Sequence, residues 1–179
     1  MPRLSTGPWK FPIRVLKAVL PKGLLRKLMC LLAARRIVVR GLSMYPTLKP
    51  GEYLLFDRLA YRGSLPTQGD IVLADHPMHK RFPLIKRVVA VPGDTVESSG
   101  DRFLVNGEPY ESPGLPDQGA VSTDSDDRWV LGVGEYFLAG DEPARSTDSR
   151  QLGPFHLSRI RARGWLVYWP LSHWRTLHP

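Results

Sequence analysis

Residues 36–47 read RIVVRGLSMYPT, a β-branched run that stops at a glycine and carries a serine into a turn closed by proline. Ile37, Val38 and Val39 favour an extended backbone, Gly41 lets the chain bend without a Cβ clash, and Pro46 forbids a helix. A strand that ends in this way presents Ser43 instead of packing it. Serine beside proline and glycine is also ordinary turn chemistry, so Ser43 becomes a candidate nucleophile only through the segments read with it.

Outward from that stretch the pattern is β. Short apolar or alternating runs predict strands at 37–40, 53–59, 71–74, 84–91, 102–105, 136–139 and 165–168, separated by Pro, Gly and Asp clusters. Asn106-Gly107, between FLV and EPY, is a hairpin signal. Residues 111–128, ESPGLPDQGAVSTDSDDR, are polar and predict an exposed loop. Short strands without intervening helical patterns argue for a mainly β fold, antiparallel, of packed sheets or a distorted barrel.

The amino-terminal part differs in kind. Residues 1–10 read as loose, and 11–20 and 23–34 carry apolar residues at helical spacing, with Ile13, Leu16 and Leu20 on one face and Lys10, Arg14 and Lys17 on another. The longest uncharged run there, Leu28 to Ala34, is seven residues, against roughly 20 needed to cross a bilayer. The division expected is therefore a basic amphipathic segment, 1–34, followed by a β-rich domain, 35–179. Residues 1–51 hold 11 Lys or Arg and no acid, whereas the remainder balances 14 basic against 17 acidic residues. A net charge of +8 placed so unevenly speaks against a nucleic-acid-binding fold and for a basic arm that lies on an anionic membrane surface or packs on the domain. Cys30 is the only cysteine, which excludes an internal disulfide and a cysteine-based zinc cage.

Two distant stretches carry chemistry. Residues 84–94, LIKRVVAVPGD, set Lys86 in an apolar strand that ends in a Pro-Gly turn, and residues 139–153, AGDEPARSTDSRQLG, form a loop of small residues and carboxylates. A serine hydroxyl needs a base to attack a carbonyl, and a lysine amine serves only when burial lowers its pKa toward working pH. By strand alternation Lys86 shares a face with Leu84, Val88 and Ala90, and Arg87 shares the other with Ile85, Val89 and Val91. Periodicity leaves open which cation is buried; chemistry excludes Arg87 as the base, because a guanidinium keeps its proton.

At these three stretches the chain resembles the type I signal peptidases, whose motifs have the forms SMxPT, KRxxxxPGD and GDNxxxSxDSRxxG. The resemblance runs over residues 37–170 and leaves the first 35 outside it. It implies a β catalytic core with a smaller β lobe inserted at about 95–135, and a serine endopeptidase in which Ser43 is nucleophile and Lys86 general base, passing through an acyl-enzyme. By the same resemblance the Ser43 N–H helps bind the oxyanion, and Gly41 stands where some members supply a hydroxyl. Ser146 matches a serine that hydrogen-bonds the lysine amine, and Asp148 and Arg150 match a structural ion pair. Glu142 replaces the usual Asn. Met44, Leu48, Leu84 and Ile85 would line shallow pockets for small side chains, consistent with cleavage after an Ala-x-Ala pattern. No cofactor is implied; the partner is a precursor protein, with residues 1–34 offering contact to a membrane surface.

Members of that family are commonly anchored by membrane helices, so this chain is expected to sit peripherally at the plasma membrane, or in the cytoplasm. Two other readings share the chemistry: a maturation peptidase for a soluble precursor such as nickel superoxide dismutase, and a LexA-type self-cleaving DNA-binding repressor. The latter lacks a helix-turn-helix pattern ahead of the core and an Ala-Gly segment just before Ser43. Asp75, His76 and His79 are a weak metal pattern. His156, His173 and His178 leave a Ser-His-Asp triad open only through folding that the sequence does not display.

Overall fold

In the computed structural model, residues 34–79, 82–99, 102–111 and 127–177 are described. The amphipathic segments expected at 11–20 and 23–34 lie outside them, apart from Ala34, as do most of the loop expected at 111–128 and His178. The described chain is mainly β, in two antiparallel sheets.

The larger sheet has eight strands: β1 (Arg35–Val38), β2 (Tyr53–Asp57), β3 (Ile71–Ala74), β4 (Leu84–Ala90), β9 (Glu135–Ala139), β10 (Phe155–His156), β11 (Ile160–Trp169) and β12 (Arg175–Thr176). Their order is β1-β2-β11-β3-β4-β9-β10, with β12 paired to β11. Ten-residue β11 joins two halves of the sheet, because its first part pairs with β3 and its second with β2. Gly164 sits where that change occurs, and a Cβ there would lie 3.2 Å from the Ile71 carbonyl oxygen. The smaller sheet is built from β5 (Thr95–Ser99), β6 (Arg102–Val105), β7 (Glu108–Pro109) and β8 (Asp127–Val130), in the order β7-β6-β5-β8.

Burial follows the pleat. In β3, Ile71 and Leu73 enter one cluster with Met44, Leu48, Leu54 and Phe56, while Val72 and Ala74 enter another with Val88, Tyr136, Leu138 and Phe155. Both faces of this central strand are therefore dry. A third cluster joins the sheets: Phe103 of β6 and Trp129 of β8 meet Phe137 of β9 at ring-centroid distances of 5.3 and 4.9 Å. The Asn106-Gly107 turn closes β6 onto β7, with φ of 55° and 83°, as a primed hairpin turn requires.

Departures from the sequence reading have identifiable causes. Strands β5 and β8 lie in polar surroundings that hide their period; Asp127 and Arg128, expected in the loop, pair with Ser98 and Glu97. A register shift between Val88 and Ala90 breaks the alternation of β4. Beyond it Val91 packs in the cluster of Leu84 and Val88, and Ala90 turns to the cluster of Val89, the reverse of the simple two-residue period.

Candidate active site

The serine turn follows β1. Gly41 has φ of 86°, a left-handed conformation that lets the chain leave the strand. Tyr45 N–H then donates to Leu42 O at 3.0 Å, and Leu48 N–H to Met44 O at 2.7 Å. Ser43 is half-buried, and neither its hydroxyl nor its N–H has a hydrogen-bond partner among the described residues. Its carbonyl accepts from Glu142 N–H at 3.1 Å. The serine turn is thereby tied to the loop that follows β9.

Gly140 is where the three motifs meet. A Cβ built on it would collide with the Ser43 carbonyl oxygen and Ser146 Oγ and fall 2.7 Å from Ser146 Cβ. Only glycine leaves that space. In the antiparallel register of β4 and β9, Arg87 pairs with Ala139, the residue before Gly140, and Lys86 is the residue before Arg87. The backbone of Ser43 and the side chain of Ser146 thus press on one Cα, next in sequence to the Ala139 that pairs with the neighbour of Lys86.

Lys86 is 2% exposed, pairs across the sheet with Val72, and lies between Leu84 and Val88, which pack on the Val72 cluster. Burial lowers its pKa to about 8; Asp148 and Asp141 pull it upward and Arg150 pushes it down. No hydrogen bond or ion pair engages its amine among the described residues. No hydrogen bond joins Ser43 Oγ to Lys86 Nζ.

Arg87 is also buried, at 7% exposure, with the opposite fate. Nε and Nη2 donate to Asp141 at 2.8 and 2.7 Å, Nη1 to Gly69 O at 2.9 Å, and Nη2 to Thr47 Oγ1 at 3.3 Å. Burial alone would lower its pKa, but the Asp141 carboxylate holds it above the ordinary value. The guanidinium fastens the third-motif loop and the serine turn to β4.

That loop carries a second ion pair. Asp148, 0% exposed, meets Arg150 Nε at 3.0 Å and caps α1 (Ser149–Leu152), with Gln151 returning a hydrogen bond in a capping box. Asp148 Oδ2 also accepts from Gly140 N–H at 3.0 Å and Ser146 Oγ at 2.6 Å. Burial raises the Asp148 pKa, yet Arg150, Ser146 and the Gly140 N–H together hold it below the usual carboxylate range. Ser146 thus donates to Asp148, and no bond joins it to Lys86 as the resemblance had implied; the ionised carboxylate is the stronger acceptor. Arg150 further sits 5.7 Å above the Phe103 ring, reaching the smaller sheet.

The four residues expected to line substrate pockets do not share one surface. Met44 is 3% and Leu48 0% exposed, both inside a core cluster on which half-buried Ile85 packs; Leu84 packs on a different cluster. Leu48 is enclosed in the same core cluster as Met44 and does not reach solvent. Glu142 touches the serine turn through its backbone N–H, which any residue but proline supplies. The exchange of Asn for Glu is accommodated for that reason.

Of the other candidates, Asp75 pairs with Arg161, and His76 Nδ1 accepts from the N–H groups of Met78 and His79. No group of three or more metal-binding side chains gathers among the described residues. His156 bonds its neighbour Ser158. His173 has an acid that its sequence neighbourhood hides, Glu52, at 2.9 Å. The Glu52 carboxylate is also engaged by Arg175, and no serine hydroxyl completes a triad on His173 among the described residues.

The family model for signal peptidase, peptidase S26, matches residues 13–169. The chain belongs to the signal peptidase family. It is a serine-type peptidase. The match begins 24 residues before Ile37, so the family reaches into the basic segment that the motif resemblance left outside. Signal peptidase I V of Bacillus subtilis is 36% identical over 133 residues, covering 68% of this chain and 78% of that protein. Signal peptidase I of Bacillus licheniformis is 35% identical over 147 residues, covering 77% and 78%. Subunit 1 of the mitochondrial inner membrane protease of Schizosaccharomyces pombe is 32% identical over 138 residues, covering 76% and 74%. No helix among the described residues is long and apolar enough to cross a membrane.

Proposed function

We propose that this signal peptidase family member is an endopeptidase that cleaves leader peptides from precursor proteins after small residues, with Ser43 as nucleophile and Lys86 as general base. One observation carries the reading: Lys86 is a buried amine, lowered to about 8 and unclasped by any carboxylate among the described residues, and its neighbour Arg87 pairs with Ala139, which precedes the glycine that abuts Ser43. Catalytic hydrogen bonds are commonly long before substrate binds, so the lack of a Ser43–Lys86 hydrogen bond does not exclude the pair.

On binding, neutral Nζ takes the Ser43 hydroxyl proton as Oγ bonds to the scissile carbonyl carbon. The carbonyl oxygen becomes an oxyanion facing the unpartnered Ser43 N–H. Collapse breaks the C–N bond, and Nζ returns the proton to the leaving amine. Water, deprotonated by the same amine, then hydrolyses the acyl-enzyme. The Arg87–Asp141 pair holds the turn, and the Asp148–Arg150 pair holds the loop beside it.

Membrane association through the basic segment 1–34 belongs to the same reading, supported by its charge and by the relative named as an inner membrane protease. Flotation on anionic liposomes, with and without residues 1–34, tests it; equal flotation of both forms refutes it. For the dyad, Ser43→Ala and Lys86→Ala are each expected to abolish cleavage of a peptide with alanine at the first and third positions before the cut. Retained turnover by either variant retires the dyad.

A further inference from the structure

The carboxy-terminal strand lies outside all three motifs, yet one of its side chains reaches the serine turn. Arg175 is fixed on β12 opposite Val167. Its Nη2 donates to the Thr47 carbonyl at 2.5 Å and to Glu52 Oε2 at 2.8 Å; its Nη1 donates to Glu52 Oε1 at 2.9 Å and to His173 O at 3.0 Å. Glu52 is 1% exposed, and its side chain also accepts from Lys49 N–H at 2.9 Å. The backbone of Glu52 accepts from Val39 N–H at 2.8 Å, and Gly51 N–H donates back to Val39 O at 3.1 Å. Residue 52 is therefore tied by backbone to the strand entering the turn, and by side chain to the guanidinium gripping the residue that leaves it.

We propose that Arg175, set by Glu52, is a positioning residue that fixes the Thr47 end of the Ser43 turn and thereby the direction of the Ser43 hydroxyl. The proposal rests on the reading of Ser43 as nucleophile. Without Arg175, the Thr47 carbonyl loses that donor, and the hydrogen bonds left from Ser43 and Thr47 to other segments are Ser43–Glu142 and Thr47–Arg87. A nucleophile displaced by about 1 Å loses roughly 100-fold in rate. The contact is a held geometry and not a packing contact, since the Arg175 side chain is 36% exposed. A cleft of about 460 Å³ between Pro46, Thr47 and Trp174 opens onto it, so a small soluble guanidinium can enter where the side chain is removed.

The test uses the full chain, a peptide with alanine at the first and third positions before the cut, and the variants Arg175→Ala, Arg175→Lys, Ser43→Ala and Arg161→Ala. Arg175→Ala is expected to lose about 10- to 100-fold in kcat, with KM within about twofold. Methylguanidinium at about 50 mM, in the range of a weak contact, is expected to restore several-fold of that loss in Arg175→Ala and nothing in Ser43→Ala. Arg175→Lys, which keeps one donor toward Thr47, should fall between wild type and alanine, and it carries the test alone where alanine does not fold. Arg161→Ala, at the end of β11 that pairs with β3, should match wild type.

Unchanged kcat in Arg175→Ala, beside an inactive Ser43→Ala, overturns the positioning role and leaves the dyad standing. A loss that neither methylguanidinium nor lysine repairs also overturns it. Turnover by Ser43→Ala is a different result and overturns the nucleophile assignment itself.

Discussion

Two adjacent residues of β4 put buried cations on opposite faces of the same strand, and the sheet treats them differently. On the Arg87 side, guanidinium and carboxylate meet in a double hydrogen bond, and further donors reach Gly69 and Thr47. On the Lys86 side the neighbouring carboxylate, Asp148, is already engaged by Arg150, Ser146 and Gly140 N–H. One cation is compensated and rigid; the other is left with burial uncompensated, which is how an amine becomes a base near neutral pH. Burial is the first cause of the depressed pKa of Lys86, and Asp148, engaged by other donors, pulls it upward through space without a hydrogen bond to the amine.

The largest expected break of that contrast comes from Lys86 itself. Lys86→Met should lower kcat/KM by about 10³-fold or more, at the upper range for loss of a general base. The same substitution should raise stability. The folded pKa of about 8 lies below the ordinary 10.5, so the unfolded chain binds the additional proton between those values. The cost of burying Lys86 is complete below pH 8 and relieved as pH rises toward 10.5. Denaturation at pH 7 should find Lys86→Met more stable by on the order of 3 kcal/mol, with the gain shrinking above pH 8; a loss of stability at pH 7 would contradict this. On the other face, Arg87→Ala should destabilise by about 3–5 kcal/mol, because it leaves Asp141 buried and unpaired. Urea midpoints check it, and a change under about 1 kcal/mol would show the pair to be dispensable.

Smaller effects sharpen the comparison. Ser146→Ala removes one donor to Asp148 and should cost about 1–2 kcal/mol, measured by the same unfolding curves. It should also raise the pKa of Lys86, since a less satisfied Asp148 turns toward the amine. Glu142→Asn should change stability by no more than about 0.5 kcal/mol, as no side-chain partner is lost among the described residues.

Much of this site was legible in the sequence, but only as a set. Ser43 and Lys86 were marked by local pattern, a glycine before a turn and an amine in an apolar run, whereas Asp148 and Arg150 were named only through the resemblance, and the capping role of Asp148 was not read. Convergence on Gly140 was not legible, since nothing in the AGD triplet reveals that the Ser43 carbonyl and Ser146 press on that Cα. The burial of both Lys86 and Arg87 was hidden for a related reason: a two-residue period describes two faces but not what covers them. Leu48 was misread as a pocket residue because a leucine one turn beyond the serine looks the same whether it faces substrate or core. Strands β5 and β8 were missed because their polar residues mask the alternation. The Arg175–Glu52 contact spans 123 residues and leaves no local signal.

The central claim is that Lys86 is a neutral amine at the pH where the enzyme works. The direct measurement is the titration of its side chain by NMR, with ¹³C-labelled lysine in the Ser43→Ala variant and Lys86→Met as the assignment control. A resonance titrating near 8, matched by kcat/KM in the wild type rising about tenfold per pH unit below that point and levelling above it, is the predicted result. A Lys86 that titrates at its ordinary value near 10.5, with cleavage undiminished at pH 7, would contradict the account.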